Sequence, residues 1–159
     1  MGQQQLILLV LATVIVGIAI VVGIAAFTEN SAKANADAMM QDAVRMANDA
    51  QAWKKKPAPF GGQSSLAACA AAACATAEDF TGATLPLLGY ATNADDEYVN
   101  LNGSYTVAAS DAGVIITGTN AIEGNEIVVA VCGMTDADID GIVVDLGGNE
   151  DIGTAPTCA

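Results

Sequence analysis

Residues 6–27 read LILLVLATVIVGIAIVVGIAAF, an uncharged run broken only by Thr13, Gly17 and Gly23. At ~1.5 Å per residue a helix of that length covers about 33 Å, enough to cross a hydrocarbon core of ~30 Å. After it the pattern changes period. Met39, Ala43, Met46, Ala47, Ala50 and Trp53 recur at spacings of three and four, one stripe on a helix of 3.6 residues per turn. Asp37, Asp42, Arg45, Asp49 and Gln51 fall largely off the stripe. Alanine is abundant and no proline intervenes, so propensity agrees with the pattern. Lys54, Lys55 and Lys56 complement a helix C-terminus, and Pro57 ends it at the preceding residue. The pattern predicts one long helix over residues 1–56, apolar all round in residues 1–27 and amphipathic over 28–56. Thr28, Asn30 and Ser31 are expected to loosen it where the halves meet.

Residues 57–96 form a connector, opening with the loop PAPFGG. Ser64 or Ser65 can cap a short alanine-rich helix over 65–78 that carries Cys69 and Cys74. From residue 97 the texture becomes short β-branched runs separated by turns: 98–101, 105–109, 114–117, 127–132 and 141–146. Asn102-Gly103 between the first two predicts a hairpin with a type I′ turn. Four or five such strands make an antiparallel meander over 97–159, ending in a polar tail. One face needs a cover, and the Met/Ala stripe is the available one. The predicted class is α+β.

Charge narrows what such a molecule can do. The chain carries 18 acidic and 5 basic residues, and all five basic ones lie between positions 33 and 56. The segment from Pro57 onward is purely acidic and would repel phosphate backbones, which argues against nucleic-acid binding by the head. With no histidine, the usual general base is absent, and no nucleophile or phosphate-binding loop is singled out. The expectation is a protein that is not an enzyme.

Three features carry candidate chemistry. Asp136, Asp138 and Asp140 before Gly141 match the opening of a calcium loop, but Gly147 stands where an EF-hand needs glutamate, which leaves a simpler calcium site or a solvated turn. Asn102-Gly103-Ser104 is a glycosylation sequon by pattern, although its turn role suffices to explain it. The cysteines Cys69, Cys74, Cys132 and Cys158 suit disulfides in an oxidising compartment. Five residues apart on a helix, Cys69 and Cys74 face differently, so cross-links from them to Cys132 and Cys158 are expected. The alternative is a Cys132–Cys158 bridge with the other pair local.

The arrangement resembles a type IV pilin or pseudopilin. The matching pieces are residues 6–27, the stripe from Met39 to Trp53, the connector, the strands, and Cys132 with Cys158. The resemblance extends over the whole chain, but its short motif departs from the family pattern. Gln5 stands where mature pilins usually carry glutamate, and Val22, flanked by Gly17 and Gly23, stands where many have proline. Met1 precedes the small residue Gly2, a context in which an initiator methionine is normally trimmed, and this fits a mature end produced by removing a leader. The resemblance implies a filament polymerised through the helix, with Met1, Gln5, Gly17 and Gly23 as candidate assembly positions. Read from the residues, Gln5 is either a register device or a polar residue at headgroup level, and Gly17 and Gly23 either admit close helix–helix approach or loosen the backbone locally. It implies storage in the inner membrane before assembly, pilus assembly machinery and copies of the chain as partners, and a calcium site in the C-terminal region of some members. The rival reading is a single-pass membrane protein whose acidic head binds calcium or a partner.

Overall fold

A computed structural model describes residues 2–63, 66, 76–147 and 153–158. Helix α1 runs from Gly2 to Lys55 without interruption, 54 residues or ~80 Å. The expected loosening at residues 28–31 does not occur. Thr28 donates its hydroxyl to the Ala25 carbonyl at 2.9 Å, and Ser31 donates to Glu123 Oε1 at 3.3 Å, so both hydroxyls are satisfied without opening the helix. A second helix, α2 (Leu85–Leu88), is a single turn inside the connector and ends at Gly89 in the left-handed conformation.

Strands β1 (Tyr98–Val99), β2 (Ser104–Ala109), β3 (Val114–Asn120), β4 (Asn125–Val131) and β5 (Ile139–Asp145) form one antiparallel sheet in the order β1-β2-β3-β4-β5. This is the meander that the alternating runs predict. The register pairs Val114 with Val131, Ile116 with Val129 and Gly118 with Ile127. Period-two alternation puts these six on one face, together with Tyr105 of β2. All six stripe residues of α1 are buried in the same core as Val114, Ile116, Ile127, Val129 and Val131. Ala32 and Ala36 extend the buried face by two turns toward the N-terminus.

Three local expectations are corrected. The first hairpin has no type I′ turn. Its loop spans residues 100–103, with the Asn100 amide donating to the Gly103 carbonyl at 3.0 Å and the Asn100 side chain accepting from the Asn102 and Gly103 amides. Gly103 is required for space instead, because a Cβ there would lie 2.6 Å from the Thr119 carbonyl oxygen and 3.1 Å from the Met39 methyl. Strand β3 runs on past residue 117, since Gly118 leaves room for the Tyr105 ring, whose carbons would come within 2.9 Å of an added Cβ. Gln51, placed off the stripe by spacing, is buried, and its Nε2 donates to the carbonyls of Gly133 at 3.0 Å and Thr135 at 3.1 Å. It ties the last turns of α1 to the loop after β4.

The two ends of β4 are fixed along the helix. Asn125 donates Nδ2 to the Ala32 carbonyl at 2.8 Å and to Asn35 Oδ1 at 2.9 Å, while Gly133, just past the other end, accepts from Gln51. Eight strand residues span about 26 Å and nineteen helical residues about 28 Å. Strand β4 therefore runs alongside α1 in the same direction, and the hairpin turns β1–β2 and β3–β4 point toward the apolar half of the helix.

The opposite face of the sheet carries Val128 and Ala130, which are also buried. The C-terminal segment returns across it. Gly153 lies against Ile142, and Cys158 is bonded to Cys132, with Gly113 leaving the space for its sulfur. Because Cys132 and Cys158 bond each other, the cross-links expected from Cys69 and Cys74 to them are not made. Cys69 and Cys74, and most of the helix expected over 65–78, lie outside the described residues, and residues 76–78 are bends rather than helix.

Candidate assembly interface

Every described residue from 2 to 30 is exposed, and residues 6–27 include fifteen large apolar side chains exposed all round the helix. The helix is long and apolar enough to cross a membrane, with none of its most hydrophobic 18-residue window buried against the rest of the chain. Burying a large aliphatic side chain is worth ~1.5–3 kcal/mol, so leaving this surface in water would cost on the order of tens of kcal/mol. The segment needs lipid or protein around it.

Its surface is not uniform. Gly17 and Gly23 face open space, with nothing within 4 Å of where a Cβ would stand. Six residues apart, they lie about 120° from one another around the axis, two notches on different sides of the helix. Gly23 sits in a shallow apolar groove lined by Ile15, Ile18, Ala19, Val22 and Ala26. Gln5 is exposed on the first turns, free to donate and to accept. Met1 lies outside the described residues.

The helix is bound to the head by a polar clasp that spacing does not reveal. Asp42 Oδ2 accepts from Asn102 Nδ2 at 2.7 Å, Asn100 Nδ2 at 2.8 Å and the Tyr105 hydroxyl at 3.2 Å. About two turns further on, Asp49 accepts the Tyr90 hydroxyl at 2.6 Å. Tyr90, Tyr98 and Tyr105 pack in sequence, the first pair edge to face and the second tilted, with centroids 5.0 Å and 6.0 Å apart. Burial, and then the neighbouring carboxylate, push both hydroxyls well above the ordinary phenol range, Tyr90 beside Asp49 and Tyr105 beside Asp42. The sequon asparagine is thus occupied: its amide nitrogen is held by Asp42 and half-buried at the helix.

The basic end of α1 is used internally. Lys54 donates Nζ to the carbonyls of Asp79 and Thr76 and lies over the Phe80 ring, 4.6 Å from its centroid. Burial lowers its pKa against the opposing pull of Asp79 and Glu78. Among the described residues the one ion pair is Lys33 with Glu29, at 2.6 Å on the exposed helix.

The Asp136, Asp138 and Asp140 carboxylates do not gather. Asp138 turns back to accept from the Thr135 amide at 2.8 Å and hydroxyl at 2.7 Å, and these bonds hold its carboxyl below the usual range. Asp140, in β5, pairs with Ala130 of β4 on the face away from α1. No group of three acidic, cysteine or histidine side chains suited to a metal ion occurs among the described residues. No family model matches this sequence, and neither the characterised proteins nor the solved structures contain a match.

Proposed function

We propose that this chain is a structural subunit of a type IV pilus-like filament, held in the inner membrane by residues 6–27 and then polymerised outside the cell through the same surface. One observation carries the reading. An all-round apolar half-helix continues without a break into a half whose apolar face is committed to its own head. A monomeric anchor needs only the first half, whereas a polymer needs a rigid rod that holds each head at a set distance from a shared helical core. The acidic heads are displayed outward, and adhesion, motility or surface attachment are consequences of display rather than catalysis. The partners are copies of this chain, with assembly machinery of the pilus type.

Electron microscopy of material sheared from cells expressing the chain tests this directly: filaments that contain it are expected. If the chain instead stays with membranes and never enters filaments, the single-pass anchor is the correct reading. Gln5 supplies a finer test. Gln5→Leu is expected to lower filament yield while membrane insertion stays at the native level, because leucine removes the donor and acceptor but suits lipid. Native filament yield would remove Gln5 from the register.

A further inference from the structure

Two of the most exposed large hydrophobic side chains in the protein are not on the helix. Leu101 is 99% exposed and Ile122 is 93% exposed, and each sits at the tip of a hairpin. In an antiparallel meander the β1–β2 and β3–β4 turns lie at the same end of the sheet, and β4 running alongside α1 aims that end at the apolar half of the helix. The tips are also anchored there. Glu123, next to Ile122, accepts from Ser31, and the Asn102 carbonyl, next to Leu101, accepts from Asn35 at 3.0 Å and from Asn120 at 2.6 Å.

These anchors set a height. Ser31 is four residues beyond Phe27, about 6 Å along the axis, and Asn35 is eight beyond, about 12 Å. The polar layer on each side of a bilayer is ~5–8 Å thick. With residues 6–27 in the hydrocarbon, the Ile122 anchor falls within the headgroup layer and the Leu101 anchor about 4 Å or more beyond it. An ordinary helix tilt of ~20° toward the sheet lowers both, bringing Leu101 to the edge. The loops are rigid enough to hold an apolar side chain outward. The Asn120 side chain accepts from the amides of Ile122 at 2.9 Å and Glu123 at 3.1 Å, and Asn100 does the same for the second tip.

We propose that the two hairpin tips form a lipid-contact site that seats the head on the bilayer surface before assembly, Ile122 entering the headgroup layer and Leu101 resting at its edge. The proposal rests on residues 6–27 spanning the membrane in the stored form. It gives the head a fixed orientation on the membrane, with the Cys132–Cys158 end directed away.

The test uses the full chain dispersed at low density in phosphatidylcholine vesicles with brominated acyl chains, which quench nearby tryptophan. Ile122→Trp, Leu101→Trp, Phe27→Trp and Phe60→Trp are compared with the wild type, whose Trp53 supplies the background. Phe27 reports the span, and Phe60, beyond the far end of α1, reports water. The expected result is loss and blue shift of emission at 27, a smaller loss at 122, a smaller one still at 101, and none at 60. Quenching at 27 with 122 and 101 no different from 60 overturns the proposal and leaves the span standing. No quenching at 27 overturns the membrane placement itself. Emission at 122 and 101 that shifts only in filaments overturns the proposal by assigning the tips to a neighbouring copy. Because tryptophan itself favours interfaces, amide hydrogen exchange supplies a second measurement in the same vesicles without bromine. Amides 122–124 are expected to exchange more slowly in the wild type than in Ile122→Asn, and equal rates overturn the proposal.

Discussion

The two halves of α1 share a backbone and differ in everything around it. Residues 2–30 are exposed throughout, while Ala32, Ala36, Met39, Ala43, Met46, Ala47, Ala50, Gln51 and Trp53 are buried against the sheet. The first half draws nothing from its own head and needs lipid or other protein around it. The second half is part of the core, so head stability and anchoring are separable properties of one helix. Substitutions on either side of residue 30 are therefore expected to show up in different measurements.

Trp53→Ala is expected to have the largest effect. The indole is buried and donates to the Gly61 carbonyl at 3.1 Å, so truncation should cost about 3–5 kcal/mol of head stability, read as a lower melting temperature, with vesicle partitioning unchanged. A charge in the other half should do the reverse. Ile15→Asp places a carboxylate near the centre of the span at a cost of ~2.5–3.5 kcal/mol, so membrane insertion and filament yield should fall while the head melts at the native temperature. Coupled losses in both measurements from either variant would break the comparison.

Asp42→Ala probes the seam between the second half and the head and should cost roughly 1–3 kcal/mol, because Asn100, Asn102 and Tyr105 lose their common acceptor. Asn102 would then be released, and amide exchange in residues 100–104 should accelerate. The smallest effect is alkaline. Tyr90 and Tyr105 have raised pKa values in the fold, so their contribution is complete below the unfolded phenol value of about 10. Above it the unfolded chain releases those protons first, and stability falls as pH rises. The melting temperature should decline above about pH 10, and Tyr90→Phe should make that decline shallower. An unchanged slope would mean that Tyr90 keeps no such proton.

Much of the layout is legible from periodicity alone. The run over 6–27 and the six stripe positions identify the helix and its buried face, because a 3.6-residue period survives in the order of the residues. Strand locations follow for the same reason, from alternation. The turn chemistry is less legible: Asn102-Gly103 has the composition of a type I′ turn, yet Gly103 is there because Thr119 and Met39 crowd it. The Asp42 clasp was not legible, since its partners lie 58 to 63 residues away. The three aspartates at 136–140 look gathered in the chain, but Asp138 finds a nearer partner in Thr135 and turns inward on its own loop.

Local order thus determines which segments are helix or strand, which face of α1 is apolar, and that its first half must leave water. Tertiary structure decides what those segments meet. It brings Cys132 to Cys158, ties Asn102 to Asp42, buries Gln51, and points Leu101 and Ile122 toward the apolar half of the helix. These depend on register and on the direction of β4 along α1, set by packing between residues far apart, where no sequence period reaches.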